Sequence, residues 1–102
     1  MERLVSYTEQ AKQAYGNTLA YLAFEFGERT AEKFQSGFAR QIQAIIDNPG
    51  IRHKIYVDGV GLVHRAIFRS YTHILYIYSD VEINILAIVD PRSDWQGSNP
   101  PA

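Results

Sequence analysis

The stretch from Leu62 to Trp95 reads LVHRAIFRSYTHILYIYSDVEINILAIVDPRSDW, and it decides the fold class. Leu62 to Arg69 alternates, with Leu62, His64, Ala66 and Phe68 on one face and Val63, Arg65, Ile67 and Arg69 on the other, the period of a strand. Tyr71 to Tyr78 is dense in aromatic and β-branched residues, which suit a pleated surface. Ser79-Asp80 makes a turn, and Val81 to Val89 is the most apolar run. Val, Ile and Leu flank it on both faces, which predicts the central strand. Pro91 ends the pairing because it has no amide to donate. Three strands in direct succession form an antiparallel meander.

Upstream, the period changes from two to between three and four. Ala11, Tyr15, Leu19, Leu22 and Phe26 fall on one face of a helix ending at Gly27. Thr8 can cap its start, and Ser6 with Glu9 is a rival capping box. A second helix begins near Glu28–Thr30, carries Ala31, Phe34, Phe38, Ile42 and Ile45, and stops at Asn48-Pro49-Gly50. Two helices joined at one glycine fold as an antiparallel hairpin. Arg3 to Tyr7 is a short strand, expected at the sheet edge, and Lys54 to Val57 is another before the Asp58-Gly59 turn. The expected architecture is α+β: a helical hairpin on one face of an antiparallel sheet of three or four strands. A single domain over 1–95 and a flexible Gly/Ser/Asn/Pro-rich tail over 96–102 are expected.

Composition narrows the function. The chain has 102 residues, 46% hydrophobic and 13% aromatic, enough for one packed domain. It has no cysteine, so disulfides and thiolate metal sites are excluded. The start lacks the long apolar region of a signal peptide, and no run approaches the ~20 residues of a membrane span, so a cytoplasmic protein without a membrane partner is expected. Five Lys/Arg and six Asp/Glu lie in residues 1–48, and five of each in 49–102. That balance opposes broad nucleic-acid binding but leaves room for a small local pocket of arginines. There is no glycine-rich phosphate loop and no nucleophile elbow, and no cofactor is implied. His53, His64 and His73 are too scattered for a local metal motif.

What remains is a set on the sheet. Arg65 and Arg69 share a strand face if the alternation holds, Arg92 follows the last strand, and His64 and His73 lie on adjacent strands. Tyr71, Tyr76 and Tyr78 add phenols. Arginines bind phosphates bidentately, and a histidine or tyrosine can move a proton. The same residues equally describe an ordinary amphipathic sheet with a solvated face.

The order of parts resembles the RelE/ParE superfamily of toxins from type II toxin–antitoxin pairs, over about Val5 to Asp94. The residues that carry the resemblance are Thr8-Glu9-Gln10-Ala11 after a strand and FGERTAEKF, Phe26 to Phe34, at the helix junction. Asn48-Pro49 closes the second helix, and His64-Arg65 lies on a strand. YTHILYIY follows from Tyr71 to Tyr78, and then Ile83-Asn84-Ile85-Leu86-Ala87-Ile88-Val89-Asp90-Pro91-Arg92. The resemblance implies a growth-inhibiting, plasmid-stabilising type of protein neutralised by a cognate antitoxin. It implies either inhibition of DNA gyrase, as in ParE-like members, or cleavage of messenger RNA on the ribosome, as in RelE-like members. In the second case His64, Arg65, Arg69 and Arg92 are the implied catalytic residues. The long hairpin and the expected lack of a C-terminal helix resemble ParE, whereas the lysine-poor approach to the sheet, Trp95 near the aromatic position and His64 where arginine is usual depart from RelE. A degenerate module that only binds antitoxin is the remaining alternative.

Overall fold

The computed structural model describes residues 2–69 and 71–90. The chain runs β1 (Leu4–Tyr7), α1 (Glu9–Phe26), α2 (Glu28–Asp47), a short 3-10 turn (Pro49–Ile51), β2 (His53–Val57), β3 (Gly61–Phe68), β4 (Thr72–Tyr78) and β5 (Glu82–Val89). The sheet has five strands in the order β1-β5-β4-β3-β2. Four are antiparallel neighbours, and β1 lies parallel to β5 at the edge. The expected hairpin-on-sheet architecture is present, but the sheet is mixed. The final strand is interior without being the middle one, because the β2–β3 hairpin extends the far side and leaves β4 at the centre. Arg92 and the tail lie outside the described residues.

Side chains join β1 to β5. Ser6 Oγ donates to Asn84 Oδ1 at 2.6 Å, and Thr8 N donates to Ile85 O at 3.0 Å. Thr8 also caps α1, accepting from Ala11 N at 3.2 Å while its hydroxyl donates to Leu86 O at 2.6 Å. Gln10 then prolongs the ladder with its side-chain amide, which accepts from Ile88 N at 3.1 Å and donates to Ile88 O at 3.3 Å. The register of β4 against β5 jumps between Leu75↔Ala87 and Tyr76↔Ile85, so Leu86 is the extra residue of a β-bulge. The carbonyl of this extra residue is the one Thr8 engages.

Gly27 joins the helices at φ 96°, a left-handed backbone that suits glycine. The apolar stripe of α2 faces the sheet: Phe34, Phe38, Ile42 and Ile45 are buried with Ala66, Phe68, Ile74, Tyr76, Ile83, Ile85 and Ile88. Tyr15, Phe34, Phe38 and Phe68 form an aromatic cluster, with Tyr15–Phe38 centroids at 4.7 Å and Phe34–Phe68 at 5.2 Å. The stripe of α1 is shallower. Ala11 is its buried member, Tyr15, Leu19 and Leu22 pack against the core at its margin, and Phe26 is exposed. Phe26 is the last residue of its helix and meets Tyr21 edge-on at 6.1 Å instead of the core.

Candidate functional site

Three surfaces carry the residues with chemistry. The first is a corner where the 3-10 turn Pro49–Ile51, the end of α2 and strands β2 to β4 meet. His64 pairs across the sheet with Lys54 on one side and Tyr76 on the other, so all three side chains share the helix-side face. The His64 ring stacks on Tyr76 at 5.4 Å and meets Tyr78 edge-on at 5.3 Å. Tyr76 is fully buried, and its hydroxyl donates to Pro49 O at 2.5 Å, which fixes the turn against the sheet. Arg3 closes the corner, donating to Ser79 O at 2.7 Å and to Ile46 O at 3.2 Å, with its guanidinium 5.6 Å from the Tyr78 ring centroid.

Electrostatics keep this corner neutral at its centre. Burial pushes the Tyr76 phenol up to about 12, with the Arg52 charge opposing and Tyr78 adding to the rise. Burial, then the charge of Lys54, pushes His64 below the usual histidine value. A histidine below 6.5 is an imidazole at neutral pH, able to accept a proton.

The second surface is the opposite sheet face. Side chains alternate along β3, so Arg65 points away from His64, and it shares its face with His73 through the β3–β4 pairing. Burial lowers the His73 pKa, the charge of Arg65 adds to the fall, and Asp90 opposes it. His64 and His73 therefore do not face each other: their cross-strand partners on β4 and β3 are Tyr76 and Ile67.

The third is the tip of the β3–β4 connection. Arg69 has φ 58°, which takes it out of the strand alternation and away from Arg65. Its guanidinium lies 5.3 Å from the Phe68 centroid and 5.9 Å from that of Phe34, and it donates to Lys33 O at 3.4 Å. His64, Arg65 and Arg69 thus occupy three separate places, and Arg92 lies outside the described residues. The sequence pattern did not single out Arg3 or Arg52, because what draws them to the corner is tertiary. Among the described residues no group of three His, Cys, Asp or Glu could hold a metal ion, and no helix is long and apolar enough to cross a membrane.

The helical hairpin has its own surface. Tyr7, Lys12, Tyr15, Gln35, Phe38, Ala39 and Ile42 line an open groove of about 530 Å3 between the helices and β1. Tyr21, Phe24 and Phe26 stand exposed at the far end of α1, Phe24 at 86%.

A two-helix hairpin whose sheet receives the N-terminal strand in parallel is a recognisable class of fold. Among solved structures the chain is similar to one titled "Chromosomal ParDE TA system from P. aeruginosa". The TM-score is 0.69 at 18% identity, covering 86% of this chain and 95% of that chain. The resemblance to RelE/ParE toxins read from the sequence therefore holds for the fold. No protein-family model and no curated protein sequence matches the chain.

Proposed function

We propose that the chain is the toxin of a type II toxin–antitoxin module, ParE-like, acting in the cytoplasm on DNA gyrase and neutralised by a cognate antitoxin. The observation that carries this reading is the near-complete overlap of its fold with a chain of a ParDE system. The antitoxin's C-terminal segment would fold on binding. It would lay an amphipathic helix along the groove lined by Tyr15, Phe38 and Ile42 and place a strand on the free edge of β2.

The dispersal of His64, Arg65 and Arg69 supports gyrase inhibition over RNA cleavage, since phosphoryl transfer needs its cations and proton carrier around one phosphate. The observation favouring RNA cleavage is the corner itself, where His64, Lys54, Tyr76 and Tyr78 stand together beside Arg52. A supercoiling assay with purified protein and gyrase separates the two. Loss of supercoiling supports the proposal. Unchanged supercoiling with cleavage of messenger RNA in a translating extract would replace it with the ribosome-dependent nuclease.

A further inference from the structure

The described surface carries one concentrated basic groove, and neither proposed activity uses it. Arg29, Lys33, Ser36 and Arg40 recur along α2 at steps of four, three and four, so they share one helix face. Arg69 reaches this face from the β3–β4 tip, and Glu32 completes the lining of an open groove of about 530 Å3. Four cations and one carboxylate line it, in a chain whose net charge is -1.

The fold goes out of its way to put Arg69 there. A non-glycine residue at φ 58° is uncommon, and this backbone turns the side chain back over α2. Gly37 leaves the space, since a Cβ there would lie 3.0 Å from Phe68 Cζ and 3.8 Å from Arg69 Nη2. The rings of Phe68 and Phe34 support the guanidinium, and among the described residues one of its five N–H donors is engaged, by Lys33 O.

We infer that this groove binds the phosphodiester backbone of duplex nucleic acid. From Arg29 to Arg40 the helix rises about 16 Å at 1.5 Å per residue, the axial length of roughly five phosphates of one strand at 3.4 Å each. Guanidinium groups and a hydroxyl suit phosphate oxygens. Single-strand binding would call for aromatic rings open to stacked bases. Here Phe34 and Phe68 are buried beneath Arg69, so the groove offers backbone contacts alone. Four contacts make a weak site, suited to DNA already held by another protein.

The test is fluorescence anisotropy of the full-length chain with a short labelled duplex over a salt series. Log K falls by about 0.9 per log unit of salt for each phosphate engaged, so four cations give a slope of about −3.6. The double variant Arg29→Ala, Lys33→Ala should fall to about −1.8 with unchanged thermal melting. Glu32→Gln should tighten binding several-fold. A double variant that keeps the parent slope, or a parent that does not bind duplex at low salt, would overturn the inference. So would polyglutamate binding as tightly as duplex, which would mark the groove as a site for acidic peptide. The groove is distinct from the hairpin face proposed for the antitoxin, so duplex binding can fail while growth arrest and neutralisation persist.

Discussion

Replacing Tyr76 with phenylalanine tests how the corner is held together. The ring keeps its packing, and the lost group is one hydroxyl that donates at 2.5 Å to Pro49 O from a fully buried side chain. Losing it leaves a carbonyl without that donor, at a cost of about 1–1.5 kcal/mol. For a domain of this size that is roughly 4–8 °C of melting temperature per kcal/mol. The alkaline limb is the sharper readout. The folded phenol titrates at about 12 against 10.0 for the ordinary value. Between those values the unfolded chain releases its proton while the folded chain retains it. Stability therefore falls as pH rises from 10 towards 12, by roughly 2–3 kcal/mol at about 1.36 kcal/mol per unit. Tyr7 and Tyr15 are also raised by burial and persist in the variant, so the difference between the two curves belongs to Tyr76. Denaturant titration from neutral pH upward should show the parent losing its advantage over Tyr76→Phe as pH climbs. Equal midpoints at neutral pH, or parallel curves through the alkaline range, would refute this account of the corner.

Three further expectations are checked by the same melts. Thr8→Ala removes both the α1 cap and the bond to Leu86 O, and should cost about 1–2 kcal/mol, with Thr8→Ser restoring most of it. Gly37→Ala gains helix propensity but drives a methyl against Phe68, which Phe34, Phe38 and Arg69 hem in; a net loss of about 1–3 kcal/mol is expected. His64 and His73 both titrate below 6.5 in the fold, so the stability they confer is complete above 6.5 and is lost as pH falls through their folded values. Melting temperature should be flat from neutrality up to the onset of the tyrosine titration and decline in mild acid, less steeply in a His64→Gln, His73→Gln variant.

Local patterns made much of the fold legible. Gly27 and the Asn48-Pro49 stop bound the helices, and the alternation from Leu62 to Phe68 gives the two faces of β3 correctly. The parallel pairing of β1 with β5 was not legible, because its determinants, Ser6 with Asn84 and Gln10 with Ile88, are 78 residues apart. The bulge at Leu86 breaks the period inside the apolar segment from Ile85 to Val89, where no polar residue marks the slip. The candidate site was less legible for a related reason. Alternation separates His64 from Arg65, and the positive φ of Arg69 removes it from the strand pattern altogether. The basic spacing on α2 is visible in sequence, but Arg69 joins it only through the tertiary fold.

Growth of cells expressing the chain, alone and together with the product of the adjacent reading frame, tests the toxin reading most directly. Expression alone should arrest growth, and the neighbouring gene's product should restore it and co-purify with the chain. Uninhibited growth, together with no binding of the neighbouring product at micromolar concentration, would contradict the assignment.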